Sequence, residues 1–162
     1  MIIRYTTYIK ESIDTKESIK GWLDSMEIKY YTINDDLTVD VDSDVDICDK
    51  NLTEIPVKFN KINGNFYCFY NKLTSLKGCP TTINGNFYCS YNKLEDINDL
   101  DIEILLKTNL SDIDVKQEVY DKYFEYWITK DIRIFNKLKN VISDNIKQKY
   151  YQCFQANNFD LL

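Results

Sequence analysis

Histidine is missing from this chain, and glycine and proline are scarce, with four and two copies among 162 residues. The commonest general base and metal ligand at neutral pH is therefore absent, which counts against an enzyme. Five cysteines are an odd number and include no Cys-x-x-Cys pair, so free thiols in a reducing compartment are expected rather than a disulfide framework or a zinc site. No apolar run reaches transmembrane length, and the opening Met1-Ile2-Ile3-Arg4-Tyr5-Thr6-Thr7 lacks the apolar core of a signal peptide. These absences predict a cytoplasmic protein with no membrane partner. No phosphate-binding loop, Gly-x-Ser-x-Gly elbow or Cys-His pair occurs either. No catalytic residue, cofactor or metal is expected.

What the chain does contain is ordinary for one globular domain, with 44% hydrophobic and 28% charged residues, apart from 13 tyrosines. A net charge of −6 disfavours direct binding to nucleic acid or anionic lipid. The charge is unevenly spread. Seven aspartates and no basic residue lie between Asp35 and Asp49, whereas six Lys or Arg lie between Lys130 and Lys149 against Asp131 and Asp144. An acidic front and a mildly basic rear are expected.

The strongest signal is an internal repeat. Ile62-Asn63-Gly64-Asn65-Phe66-Tyr67-Cys68 returns 21 residues later as Ile83-Asn84-Gly85-Asn86-Phe87-Tyr88-Cys89, and Tyr70-Asn71-Lys72-Leu73 returns as Tyr91-Asn92-Lys93-Leu94. A weaker copy precedes them, in which Val45, Ile47, Leu52 and Ile55 hold the places of Phe66, Cys68, Leu73 and Leu76. There Lys50 replaces the Asn, and Asn51 follows one place late. The skeleton, apolar-x-apolar-x-x-Asn-x-Leu-x-x-apolar, fits a short strand with alternate residues inward, an Asn whose side chain bonds backbone at the bend, and a Leu that closes the coil. Asn63-Gly64 and Asn84-Gly85 alone would suggest antiparallel hairpins. The constant period favours parallel strands stacked on one another.

A short stack of this kind needs caps at both ends. Ile19, Trp22, Leu23 and Met26 have the spacing of an amphipathic helix, with Asp14 and Glu17 as its capping box. Ile28–Ile33 reads as a strand and Val39–Ile47 as the first strand of the stack. After Ile97 the pattern shortens, with Leu110 and Ile113 echoing Leu94 and Ile97. Two helices are then expected from about Asp114. One has an apolar face of Val115, Val119, Tyr123 and Trp127. The other carries Ile134, Leu138, Ile142, Ile146, Tyr150 and Phe154, spaced four apart. The predicted class is α+β, a short leucine-rich-repeat-like solenoid with parallel strands. It forms one domain, with an N-terminal cap over 1–38, the solenoid over 39–113 and a helical cap over 114–162.

The run of Asn-Gly-Asn-Phe-Tyr-Cys, Tyr-Asn-Lys-Leu-Thr-Ser-Leu and Gly78-Cys79-Pro80 resembles leucine-rich-repeat proteins of tailed phages and prophages. Tyr31 to Val41 is similar to the segment that leads into those repeats, so the likeness spans roughly residues 15 to 98. It implies a fold and a phage or bacterial-host setting, not a reaction.

In such a stack the positions between inward residues form outward columns: Asp44, Asn65, Asn86; Asp46, Tyr67, Tyr88; Cys48, Phe69, Ser90; and Asp49, Tyr70, Tyr91. Tyr and Phe dominate protein-interface hot spots, and acidic residues steer a basic partner. Asp44, Asp46, Asp49, Tyr67, Phe69, Tyr70, Tyr88 and Tyr91 are therefore the candidate partner-binding residues; the bland alternative is that the tyrosines merely stack along the ladder. On a single strand, Asp40, Asp42, Asp44 and Asp46 would share one face at intervals of about 6.7 Å, open either to nucleic-acid mimicry or to a solvated edge that resists aggregation. Cys68 and Cys89 are expected to be buried hydrophobes, and Cys79 and Cys153 to belong to other parts of the pattern. Together these features favour a non-enzymatic binder. Its partner would be a host protein, with a basic, nucleic-acid-binding immune effector the most economical choice. Self-association into a structural assembly is the alternative.

Overall fold

The computed structural model describes residues 13–149 except 96, 98, 109–111, 114 and 132, and leaves aside the side chains of 125, 129, 135 and 136. Within that range the chain is α+β. The order is α1 (Lys16–Ser25), β1 (Tyr31–Ile33), β2 (Thr38–Val41), β3 (Val45–Asp46), β4 (Lys58–Ile62), β5 (Phe66–Tyr67), β6 (Thr82–Ile83), β7 (Phe87–Tyr88), α2 (Ile102–Lys107), α3 (Gln117–Lys130), α4 (Arg133–Leu138) and α5 (Asp144–Lys149).

Each copy of the repeat contributes one strand to each of two sheets, ordered β1-β2-β4-β6 and β3-β5-β7. Pairing between copies is parallel: Val45 faces Phe66, which faces Phe87, and Ile62 faces Ile83. Among the described residues only β1 runs antiparallel, against β2, where it covers the sheet's first edge. The Asn-Gly dipeptides are therefore not hairpin turns. They sit at the corner where the chain passes from one sheet to the other, and the copies touch there, with Gly85 N donating to Gly64 O at 3.0 Å. A Cβ on Gly64 would overlap the Asp44 carboxylate and come within 2.5 Å of Asp44 N. In the first copy Ser43 stands at this corner, and its hydroxyl donates to Lys29 O (3.3 Å).

The same corner corrects the reading of Val39–Ile47 as one strand. The chain bends at residues 42–44, so β2 and β3 belong to different sheets. Asp40, Asp42, Asp44 and Asp46 therefore do not share the face of one strand. Each instead takes up a hydrogen bond. Asp40 accepts from Asn60 Nδ2 (2.7 Å) and Lys61 N (3.1 Å), Asp42 from Asn63 Nδ2 (2.6 Å), Asp44 from Asn65 N (2.7 Å) and Asp46 from Cys48 N (2.9 Å). Three of these start ladders that run on through the copies: Thr81 Oγ1 donates to Asn60 Oδ1 (3.2 Å), Asn84 donates to Asn63 (2.8 Å), and Asn86 N donates to Asn65 Oδ1 (2.8 Å). An aspartate suits the first rung because a carboxylate only needs to accept.

Between the sheets lies a continuous core. The equivalent positions Val45, Phe66 and Phe87, then Ile47, Cys68 and Cys89, then Leu52, Leu73 and Leu94, then Ile55, Leu76 and Ile97 are all buried. Aromatic rings run through it, Trp22 against Phe59, Phe59 against Phe66 and Phe66 against Phe87, with centroids 6.3, 5.4 and 5.9 Å apart. Asn71 and Asn92 hold the bends from inside. Asn71 Oδ1 accepts from Lys50 N and Leu52 N while its Nδ2 donates to Ile47 O and Cys68 O. Asn92 repeats the arrangement one copy later with Leu73 N, Cys68 O and Cys89 O. Each therefore ties two successive copies together.

The ends depart from expectation in detail. Helix α1 buries Ile19, Trp22, Leu23 and Met26 as the spacing predicts. Its cap is Thr15 paired with Ser18, one residue beyond Asp14 and Glu17. Helices begin at Ile102 rather than near Asp114, and Cys89 N donates to Asp112 O as the chain returns from α2. Ile113 is buried, while its predicted companion Leu110 lies outside the described residues. In α3 the deepest side chains are Tyr120, Phe124, Trp127 and Ile128. Val119 and Tyr123 are only partly buried, and Val115 precedes the helix, so the buried face is rotated by about one residue. The second predicted helix is broken: Ile134 and Leu138 lie on α4, Ile142 in the following turn, and Ile146 on α5. Tyr150 and Phe154 fall outside the described residues. Among the described residues no helix is long and apolar enough to cross a membrane.

Candidate functional site

The sheet β3-β5-β7 carries the candidate residues because alternate positions of its strands point away from the core. Asp46 pairs with Tyr67, and Tyr67 with Tyr88. The Tyr67 and Tyr88 rings stack with centroids 5.1 Å apart and planes 4° apart. Three residues later the pattern recurs with a tighter stack, Tyr70 on Tyr91 at 4.5 Å and 8°. Phe69 joins the two, edge-on to Tyr67 at 6.4 Å and to Tyr70 at 5.5 Å. All five aromatics in the expected columns thus form one contiguous patch. Tyr70 and Tyr91 are more than half exposed, at 54% and 59%.

The outer column has an unusual backbone. Asp49, Tyr70 and Tyr91 all have positive φ, at 53°, 54° and 55°. A left-handed conformation costs a non-glycine residue roughly 1–2 kcal/mol. The ladder holds the first two in place: Asp49 N donates to Phe69 O, and Tyr70 N to Ser90 O. Identical backbone at successive rungs is what brings the rings face to face. Such strain is characteristic of functional positions, where the surrounding structure over-determines it.

Asp44, Asp46 and Asp49 stand at the open end of these columns, on or beside the edge strand β3. None of the three has a cationic partner among the described residues. Burial, followed by the charge of Asp44, the neighbouring Tyr88 and the charge of Asp46, raises the Tyr67 phenol above its ordinary pKa. Cys48 sits beside them, half-buried, with its thiol pushed up to about 12 by burial and by its hydrogen bond to Asp46. Native Cys48 should therefore react slowly with a thiol reagent at pH 8, and Asp46→Asn should speed it. An unmodified Cys48 that reacts like a free thiol would contradict this placement.

The structure brings together all eight predicted residues in this region but gives Asp44 a second duty at the corner, where it accepts from Asn65. Two features were not anticipated. One is the ladder of Asp42, Asn63 and Asn84, visible in sequence only as a 21-residue recurrence of polar residues. The other is Cys79, assigned elsewhere from the pattern, which lies close enough to the buried Cys68 to help, with Cys89 and after burial itself, to push the Cys68 thiol up. Cys48, Cys68, Cys79 and Cys89 are free thiols, and Cys153 lies outside the described residues. Among the described residues no group of three or more His, Cys, Asp or Glu is arranged to hold a metal ion.

No family model matches the chain, and searches of curated proteins and of solved structures return no significant match.

Proposed function

We propose that the chain is a short leucine-rich-repeat-like solenoid that works without catalysis, binding another macromolecule through the face made by Asp44, Asp46, Asp49, Tyr67, Phe69, Tyr70, Tyr88 and Tyr91. The carrying observation is the contiguous stack of five aromatics, two of them more than half exposed and held on strained backbone. Solvent-facing aromatics of this number gain little for folding and much for association. The resemblance to phage leucine-rich-repeat proteins supports the more specific reading. On it, the protein is a phage-encoded inhibitor acting in the host cytoplasm, anti-CRISPR-like, which occupies the basic surface of a host defence effector.

The test is affinity capture from bacterial lysate with the unmodified protein and with the double variant Tyr67→Ala/Tyr88→Ala. Both rings project between buried neighbours, so the variant should keep its thermal midpoint within a few degrees while capture is lost. Truncating hot-spot aromatics commonly costs about 2 kcal/mol or more each, enough to dissolve a micromolar complex. Retained capture by a folded double variant would refute the assignment of this face.

A further inference from the structure

Resting on that reading of the face, the geometry points to its partner's chemistry: we infer that the partner engages it through arginine side chains, seated in two like sites, Asp46 with Tyr67 and Asp49 with Tyr70. Each column is a pair of stacked tyrosines preceded by an aspartate. Tyr88 covers one face of Tyr67, and Tyr91 covers one face of Tyr70. The opposite face of each ring is turned toward the first rung, one strand spacing of about 4.8 Å away. A third tyrosine there would close the stack. Asp46 and Asp49 occupy the rung instead, and an aspartate is too short to cover a phenol ring. What results is a shelf, a tyrosine ring closed by its stacked partner on one side and by an aspartate rung on the other.

That shelf has the dimensions and chemistry of a guanidinium site. The planar cation stacks on an aromatic face, and its forked N–H groups meet a carboxylate in the same plane. An ammonium could use the charge but not the plane. Asp49 accepts no hydrogen bond among the described residues, and neither Asp46 nor Asp49 is neutralised by a cation there. Asp44, close enough to Tyr67 to raise its pKa, adds to the negative field. Phe69, edge-on to both Tyr67 and Tyr70, forms an apolar divider between the two shelves. The two sites lie three residues apart along the same copies, so one extended segment carrying two arginines can fill both.

The probe is a blocked pentapeptide of glycines with arginine at its second and fourth positions, compared with its lysine counterpart of equal charge. Both are titrated into the full chain at fixed ionic strength, following the tyrosine ring signals by NMR. The arginine peptide should bind about tenfold more tightly, because only a planar guanidinium can stack flat on the ring while its forked N–H groups meet the carboxylate. Asp46→Asn/Asp49→Asn keeps the side-chain carbonyl that accepts from Cys48 N, so it should fold, and it should weaken the arginine peptide by about tenfold or more. Tyr67→Leu/Tyr70→Leu should bring the arginine-to-lysine preference down to about one, a ratio that a general loss of structure does not mimic. Equal binding of the two peptides, no binding of either, or a preference unchanged in the leucine variant would overturn the inference. Capture of a partner that depends on Tyr67 and Tyr88 without any arginine preference would reject this inference alone and leave the binding face standing.

Discussion

Replacing Asn71 by Ala should destabilise the protein by about 3–5 kcal/mol, because it strands several buried backbone groups at once. Asn71 is only 7% exposed. Its side chain accepts from Lys50 N (3.1 Å) and Leu52 N (3.0 Å) and donates to Ile47 O (2.8 Å) and Cys68 O (3.0 Å). Cys68 O would keep a second donor, Asn92 Nδ2, also at 3.0 Å. The other three would lose the partner that the amide supplies, and an unsatisfied buried group costs about 1–3 kcal/mol. Asn92→Ala should cost less, since Asn92 is only part-buried and water can replace some of its bonds. Urea denaturation followed by tryptophan fluorescence measures both. Trp22 on α1 and Trp127 on α3 report from the two ends of the core. A midpoint for Asn71→Ala equal to that of the unmodified protein would mean that the inner Asn is not what ties the copies together.

Leu73→Ala should cost about 2–5 kcal/mol, the usual penalty for emptying a core leucine site, with the upper part of the range expected. Leu73 has no exposed surface and lies in the middle copy, with Leu52 and Leu94 at the equivalent positions on either side. Neighbours on both sides are fixed by the ladder, so the cavity has little room to collapse. Leu94→Ala, in the last copy and 6% exposed, should be milder. With so few copies to share the loss, the Leu73 variant should melt well below the unmodified protein. Equal melting temperatures for the Leu73 and Leu94 variants would show that the middle copy is no more tightly packed than the last.

The extent to which the sequence was legible follows from what repeats. A 21-residue recurrence of Phe66, Cys68, Leu73 and Leu76 specifies which side chains are buried, and a constant offset leaves parallel stacking as the economical way to bury them. The outward columns follow from the same register, which is why Tyr67 with Tyr88 and Tyr70 with Tyr91 could be paired on paper. The acidic segment reads as one strand in sequence for a specific reason. Apolar and acidic residues alternate identically whether Val39–Ile47 is one strand or two strands meeting at a corner. Nothing local marks the bend at Ser43, where a glycine stands in the later copies. The C-terminal helices were blurred similarly, since apolar residues four apart through Ile134, Leu138, Ile142 and Ile146 suit both a continuous helix and two short ones around a turn.

By itself, then, the sequence determined the period, the inward residues and the outward columns, because burial of a periodic pattern has few solutions. Only the tertiary structure decided where the aspartates' hydrogen bonds go, that Cys79 lies near Cys68, and that Asp49, Tyr70 and Tyr91 adopt left-handed backbone. Each of these depends on a neighbouring copy or on a close approach of chains. Hydrogen-bond partners 21 residues apart and ring planes stacked within 5.1 Å arise only when one copy is laid against the next.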